Sequence, residues 1–319
     1  MASTGLNRRA FLSAGGALLL AGCGTSGASS APSQVEKPEL RLGVLPVPDV
    51  ASLHIAQREG IFDRFGLRPK MVSEALTGDN RFDLDNGPWD IHFDSWPTIF
   101  LNIADGADWV LVGEGCQTGT NTTALITRSG GKVRRLEDIR GARIGINNDR
   151  GLGTMLINAL LATRGLGPGD VKYVVIDMDK VAGAVQKGEV DAGWLIEPYL
   201  TIAELETRAE PVADTAVGAT VNLPQSGYVC SRKFARNNPA TIKAFQSALV
   251  QAQALAKDRA VVEREWTKYL DLNGTVVSLM NIGDFPSSLR AVRPQRVANL
   301  MYAQGMLKQP IDASKLVVG

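Results

Sequence analysis

The sequence predicts an α/β fold made of two units, each a largely parallel sheet flanked by helices. Three observations predict it. Short apolar runs alternate with longer amphipathic segments, the pattern of successive strand–helix–strand units. The alternation pauses at Arg128-Ser129-Gly130-Gly131 and then begins again. The chain has 319 residues, 45% of them hydrophobic and 21% charged, enough for one large or two medium domains with apolar cores.

In the first unit, Leu40–Leu45 reads as a strand closed by Pro46 and Pro48, and Ser52–Glu59 as a helix stopped near Gly60. Arg68–Val72 is a second short strand and Asp90–Phe93 a third. A helix over Pro97–Ala104 and a strand over Trp109–Glu114 follow. The second unit takes strands at Arg143–Ile146, Lys172–Ile176 and Ala192–Ile196. Its helices lie at Gly153–Arg164, Val181–Lys187 and Leu200–Glu206. Gly227–Ser231 is a strand leading into a long helix over Pro239–Lys257, with Pro239 in its first turn and Ile242, Phe245, Leu249 and Ala252 on one face. Helices around Val261–Leu270 and Pro294–Leu307 close the chain. This helical last third needs a sheet to pack on, and the simplest solution returns it to the first unit. The chain then crosses between lobes twice, near Ala124–Arg128 and near Gly227–Ser231. Two crossings make a hinge with a cleft beside it. The expected partition is residues 39–125 and 229–319 in lobe 1 and residues 126–228 in lobe 2.

Charge excludes one class. The 34 basic and 33 acidic residues give a net charge of +1 without a basic cluster, so a nucleic-acid footprint is not expected. With only two histidines and three cysteines, a His- or Cys-rich metal site is not expected, and neither is a cofactor.

Residues 1–22 read as an address rather than as fold. Arg8-Arg9-Ala10-Phe11-Leu12 looks like a twin-arginine export signal, and the apolar run from Ala10 to Gly22 is shorter than the roughly 20 residues a spanning helix needs. Leu20-Ala21-Gly22-Cys23 looks like a lipobox, in which Cys23 is lipidated and becomes the first mature residue. Removing two arginines from 34 basic residues leaves 32 against 33 acidic, so attachment rests on acyl chains rather than on a basic patch. Gly24–Pro38 is rich in Gly, Ser, Ala and Thr and reads as a flexible tether spanning about 20 Å. The expected setting is extracytoplasmic and lipid-anchored, with the body a monomer.

Family motifs then appear in order. Leu53-His54-Ile55-Ala56-Gln57-Arg58-Glu59-Gly60-Ile61-Phe62, followed by Phe65-Gly66-Leu67, resembles the opening of the nitrate/sulfonate/taurine-type, THI5-like solute-binding lipoproteins of ABC importers. Leu136–Gly145 is similar to their entry into the second lobe. Gly188-Glu189-Val190-Asp191-Ala192-Gly193-Trp194-Leu195-Ile196-Glu197-Pro198-Tyr199 is similar to their G-x-V-D-A…E-P-Y block, and Asn238-Pro239 is a further echo. The resemblance covers about residues 39–260. It implies the two-lobed clamshell of the type II periplasmic-binding fold, one small solute in the cleft, and a membrane permease with its ATPase as partners. It does not imply an enzyme. No G-x-S-x-G, H-E-x-x-H or P-loop occurs. The competing readings are an exported enzyme on this fold, with Glu197 as base, and capture of a pyrimidine-type thiamine precursor.

The candidate ligand contacts each have a plainer reading. Gly151-Leu152-Gly153-Thr154 opens a helix, and its free N–H groups suit an anion. It also fits a plain turn, or a dinucleotide fingerprint with Asp177 on the next strand, although Leu156 holds the third glycine position. Ser95 and Trp96 sit at another strand-to-helix turn, where Ser95 also suits a simple cap. Thr77 and Asn80 are loop residues within reach of the cleft. Glu197, between Trp194 and Tyr199, needs a cationic or donor partner, from the ligand or from a structural arginine. Asn121, Gln225 and Ser226 flank the crossings. His54, at a helix start, suits a ligand contact or a solvated position. His92 alternates with apolar residues and suits a buried, hydrogen-bonded role. Cys116 and Cys230 fall near the proposed crossings, outside the cytoplasm, where a disulfide is permitted. Taken together, Glu197 and the Gly151–Thr154 turn point to an anionic or zwitterionic solute.

Overall fold

The computed structural model describes residues 35–74 and 82–318. The export signal, the lipid-bearing Cys23, the tether up to residue 34, and Thr77 and Asn80 lie outside the described residues. Among the described residues no helix is long and apolar enough to cross a membrane.

The first lobe opens with β1 (Arg41–Val44), α1 (Ala51–Arg58), α2 (Ile61–Arg64) and β2 (Lys70–Ser73). It continues with β3 (Ile91–Ser95), α3 (Trp96–Ala104) and β4 (Trp109–Glu114). The second lobe contains β5 (Thr123–Thr127), β6 (Arg143–Ile146), α4 (Leu152–Ala162), β7 (Lys172–Val175) and α5 (Val181–Lys187). It ends with β8 (Ala192–Ile196), α6 (Tyr199–Thr207) and β9 (Glu210–Asp214). The chain then returns through β10 (Ser226–Ser231) to α7 (Arg232–Asn237), α8 (Pro239–Leu255) and α9 (Arg259–Tyr269). The last helices are α10 (Gly274–Leu279) and α11 (Val292–Ala303).

The two five-stranded sheets share one plan. Their strand orders are β2-β1-β3-β10-β4 and β7-β6-β8-β5-β9. In each sheet the antiparallel strand is the one that has just arrived from the other lobe, β10 in the first and β5 in the second. The other strands run parallel, so their carboxyl ends point the same way, and those ends are where loops gather into a cleft.

The chain changes sheets at residues 115–122 and 215–225, earlier than expected. Ala124–Arg128 and Gly227–Ser231 are not crossings but lie in β5 and β10, so the expected boundaries at 125/126 and 228/229 cut through strands. β5 is a fully buried run, Thr123-Ala124-Leu125-Ile126-Thr127, held between β8 and β9, and burial on both faces removes the alternation that marks a strand. β9 carries Pro211, which conceals it in the sequence and suits its place at the sheet edge. The two connecting segments run side by side. The Gln225 amide donates to the Cys116 carbonyl at 2.8 Å, the Thr118 amide to the Leu223 carbonyl at 2.9 Å, and the Thr118 hydroxyl to the Thr220 carbonyl at 2.8 Å.

The helical last third packs on the first sheet: α8 and α9 against α1, and α11 against α3. The lobe 1 core centres on Phe93, Tyr228 and Phe245, with ring centroids 5.3 Å and 5.6 Å apart. Burying each such ring contributes about 1.5–3 kcal/mol. α8 starts at Pro239 without a side-chain cap from Asn238, which leaves first-turn amides needing acceptors. Glu36 supplies them, accepting from the Ala240 amide at 3.0 Å and the Thr241 amide at 2.8 Å. The segment expected to be free tether through Pro38 is therefore already pinned to the body at Glu36, and Lys37 reinforces this with an ion pair to Asp90 at 2.7 Å.

Cys116 and Cys230 are buried free thiols, not a disulfide. Strand register separates them. The Cys116 carbonyl accepts from Gln225 and Ser226, while Cys230 pairs with Val110 further along β10. Four residues of strand span about 13 Å, well beyond the roughly 7 Å limit between bridged Cα atoms.

Candidate functional site

The cavity lies at the carboxyl ends of the parallel strands, and both lobes line it. Its empty volume, counted out to open solvent, is about 840 Å³, a size suited to a small organic molecule.

Lobe 1 supplies an acidic wall. Asp49 follows β1, Glu74 follows β2, and Asp94 ends β3 beside Ser95. Asp49 is buried, and its Oδ2 accepts from Gln225 Nε2 at 2.9 Å and from the Ser226 hydroxyl at 2.7 Å. Burial raises its carboxyl above the ordinary range, against the pull of those two donors. Asp94 is also buried, and its Oδ1 accepts from the Ser95 amide at 2.6 Å. Burial pushes this carboxyl up to about 6, with His92 and the local hydrogen bonds opposing the shift. Glu74 Oε1 lies 3.1 Å from His92 Nε2. The His92 ring stacks on Phe82 at 3.8 Å, and its Nδ1 has no partner among the described residues.

Lobe 2 supplies an uncharged wall: Asn147, Asn148 and Gly151 after β6, Met178 after β7, and Trp194 and Ile196 on β8. Gly151 is the N-cap of α4 and gives it no side-chain cap, so the helix start faces the cavity with backbone donors. Among the described lining residues there is neither a lysine nor an arginine.

Of the expected contacts, Ser95, Gly151, Trp194, Gln225 and Ser226 come together here. Ser95 also caps α3, accepting from the Thr98 amide at 3.4 Å. The others stand elsewhere. Trp96 is a core residue of lobe 1, fully buried against Gly227, where an added Cβ would come within 2.2 Å of the ring. Gly153 plays the matching part in lobe 2, since a Cβ there would lie 2.5 Å from the Trp194 ring. It permits helix packing rather than ligand contact. Thr154 turns its hydroxyl to the Asn148 carbonyl at 2.8 Å and fixes the loop. His54 stacks on Tyr269 at 3.9 Å behind the cavity wall, where burial lowers its pKa to about 4, so it is neutral. Asn121 sits in the first crossing with φ 56°, its amide bonded to Asp214 at 2.9 Å. Tyr199 begins α6, outside the cavity.

Glu197 is buried, but its partners are protein donors and not an arginine. Oε1 accepts from the Thr201 hydroxyl at 3.0 Å and from the Asn281 amide at 2.9 Å, and Oε2 from the Thr201 amide at 3.2 Å. It caps α6 and ties lobe 2 to the segment after α10. A second tie links Gln304 Nε2 to the Met155 carbonyl at 3.0 Å.

The acidic wall was missed at the level of sequence. Asp49, Glu74 and Asp94 look like ordinary loop charges there. The signal that finds them is positional: each stands at the carboxyl end of a parallel strand or just beyond it.

The comparisons agree with this architecture. The chain is 26% identical to a putative aliphatic sulfonates-binding protein of Bacillus subtilis (strain 168) over 242 residues, 73% of this chain and 70% of the relative. The alkanesulfonate-binding protein SsuA from Xanthomonas axonopodis pv. citri, in a structure bound to MOPS, superposes with a TM-score of 0.74 at 23% identity. That match covers 89% of this chain and 99% of the other. The periplasmic nitrate-binding protein NrtA of Synechocystis PCC 6803 gives a TM-score of 0.72 at 16% identity, covering 89% and 87%. The structural likenesses establish the fold as the two-lobed α/β clamshell. The NMT1/THI5 like family model matches residues 47–259, more than half of the sequence, so the chain belongs to the NMT1/THI5-like family.

Proposed function

We propose that the protein is the extracytoplasmic solute-binding component of an ABC importer. It captures a small anionic or zwitterionic solute between its lobes and delivers it to a membrane permease driven by a separate ATPase. Lipid on Cys23, reached by twin-arginine export, holds it at the membrane, and it works as a monomer. We assign lobe 1 to the described residues up to about 114 together with those from 226 onward, and lobe 2 to the residues of β5–β9. The observation that carries this reading is the cavity itself, closed on one side by an acidic wall and on the other by an uncapped helix start, between two sheets joined by paired connecting segments. A solute touching both walls favours the shut form, and a permease that reads that form has its signal. The α4 start suits an anionic group, while the acidic wall suits a donor.

Solution scattering with and without solute, beside thermal shifts across sulfonates, nitrate, amino-sulfonates and aminopyrimidines, tests the reading. The expected result is contraction of the particle together with a rise in melting temperature for one chemical class. A particle that keeps its dimensions with every solute, or that converts one to product, counts against it.

Catalysis on the same fold is the second reading. Asp94, raised to about 6 and facing the cavity beside the Glu74–His92 pair, is favoured as its base. Glu197 is a poor choice, because backbone and hydroxyl donors already occupy it.

A further inference from the structure

The two buried tryptophans that match between the lobes are packed alike and bonded differently. Each rests on a glycine, Trp96 on Gly227 and Trp194 on Gly153. The Trp96 indole N–H has no partner among the described residues, whereas the Trp194 indole N–H donates to the Thr215 hydroxyl at 3.1 Å. Trp194 is the one of the two that belongs to the cavity lining, and Thr215 opens the second connecting segment. Packing alone does not require such a bond, as Trp96 demonstrates.

The bond continues as a line of buried threonines. The Thr215 hydroxyl donates to the Thr123 carbonyl at 3.2 Å and meets the Thr123 hydroxyl at 2.7 Å. A hydroxyl has one hydrogen, so pairing every group requires Thr123 to donate in that contact and Thr215 to accept twice. The Thr220 hydroxyl reaches the Thr215 carbonyl at 2.7 Å and that of Val217 at 2.8 Å. In the first connecting segment, the Thr118 hydroxyl donates to the Thr220 carbonyl at 2.8 Å and accepts from the Leu223 amide at 3.0 Å. Thr118, Thr123, Thr215 and Thr220 are each at most 1% exposed. Bulk water cannot stand in for a partner at that depth, so removing one hydroxyl leaves its neighbours unmet. The line runs from the cavity wall through both segments that join the lobes.

Trp194 itself is almost wholly buried and offers a solute little surface. What it supports is the wall. Gly153, in the first turn of α4, lies against its ring, and Gly151 just ahead is the uncapped start that faces the cavity. A solute drawn to that start presses on the ring, and the ring is tied to Thr215.

We propose that Thr118, Thr215 and Thr220 are positioning residues. They tie the lobe 2 wall to the connecting segments, so that a solute seated on that wall acts on the angle between the lobes. This rests on the importer reading and supplies its internal linkage. Contiguity alone does not make a route; a change at one end has to be felt at the other.

The test reads both ends of the line by NMR on the mature protein, without solute. Five tryptophans give five indole N–H signals, and Trp194→Phe identifies the one that matters. Thr118→Val and Thr220→Val keep the shape and lose a hydroxyl at residues that are not bonded to Trp194 and do not line the main cavity. Each should shift the Trp194 signal and speed its hydrogen exchange by about fivefold or more, the scale of one hydrogen bond. Thr118→Ser and Thr220→Ser should restore the parent signal. In the reverse direction, Trp194→Phe should speed exchange of the Leu223 amide, and this measurement decides the matter if the valine variants do not fold. Ethanesulfonate, 2-aminoethanesulfonate and nitrate are then added at about 10 mM, where even a millimolar ligand registers. Whichever of them contracts the parent in scattering should bind the valine variants about fivefold more weakly and contract them less. A Trp194 signal unchanged in both valine variants, or an unchanged Leu223 amide in Trp194→Phe, overturns the proposal, because the hydroxyls would then serve only their local backbone. Full contraction at parent affinity in both valine variants overturns it too. A parent that contracts with none of the three solutes counts against the importer reading instead, and the indole and amide signals still decide the tie.

Discussion

The two sheets repeat one strand order and one antiparallel returning strand, yet they present opposite faces to the cavity between them. The lobe 1 strand ends carry Asp49, Glu74 and Asp94, whereas those of lobe 2 carry asparagines, glycine, methionine and tryptophan. Shared topology fixes where the side chains point. Chemistry is set residue by residue in the loops beyond the strands, where substitution leaves the core untouched. The lobes match inside as well. Each packs a buried tryptophan against a glycine, Trp96 on Gly227 and Trp194 on Gly153. The parallel breaks at the cavity, because Trp194 reaches its wall and Trp96 does not.

That break gives the largest predicted effect. Trp96→Ala should cost about 3–5 kcal/mol of stability, as the loss of a large buried ring does. Affinity per folded molecule should stay unchanged. Trp194→Ala should cost a similar amount and also weaken binding. Denaturant unfolding beside calorimetry measures both quantities. Weakened binding in the Trp96 variant would mean that the lobes are not equivalent inside and distinct only at the cleft.

The next effect concerns the acidic wall. Asp94 has a folded value of about 6, above the ordinary aspartate value near 4. Between those two values the folded protein binds more protons at this site than the unfolded chain does. Its contribution therefore falls as pH rises from about 4 to 6, by roughly 3 kcal/mol, and then stays level. Asp94→Asn should show no such fall. It should match the parent near pH 4 and be more stable by about 2–3 kcal/mol at pH 7.5. Urea midpoints across pH read the difference. A variant less stable than the parent at neutral pH would mean that the carboxylate supports the fold rather than burdening it. A charge kept at such a cost, at the edge of a cavity, is consistent with a binding role.

How much of this was readable beforehand depended on burial. Strands with clear edges, such as Trp109–Glu114 and Ala192–Ile196, stand in the structure as read. β5 was not recognised because burial on both faces erased its alternation, and β9 because Pro211 disguised it. In the cavity, glycine and tryptophan were conspicuous and single acids were not. An aspartate after a strand looks the same whether it faces solvent or a cleft, and the fold has to be known before strand ends become informative. Glu197 attracted attention for a sound reason, its apolar neighbours, but the missing donors came from Thr201 and from Asn281, which is 84 residues away in the chain.

Glu197 gives the third prediction, because it joins the lobes instead of lining either wall of the main cavity. Glu197→Gln keeps the shape but turns one of the two accepting oxygens into a donor that meets the Thr201 or Asn281 N–H head-on. The cost is about 1–2 kcal/mol after the relief of no longer burying a charge, since burial already raises this carboxyl. The part of that cost spanning the lobes favours opening, so affinity should fall about fivefold for each kcal/mol lost from the shut form. Solute preference should be unchanged, since the acidic wall is intact. A changed preference would return Glu197 to the list of ligand contacts.

The smallest effect belongs to the crossing itself. Asn121 holds φ 56°, a left-handed conformation that asparagine tolerates and glycine adopts freely. Its recorded bond to Asp214 uses the backbone amide, which any residue except proline retains. Asn121→Gly therefore removes a mild steric cost in the folded state and adds freedom to the unfolded chain, and these nearly cancel, leaving stability within about 0.5 kcal/mol of the parent. Solute affinity should not move, because the side chain is not part of the cavity lining. Asn121→Pro differs in kind. It cannot adopt the positive φ and it deletes the amide that meets Asp214, so it should destabilise the protein by well over 1 kcal/mol. A glycine variant that loosened binding as much as the proline variant would mean that the asparagine side chain reads the solute, and the crossing would then count as a third wall of the site.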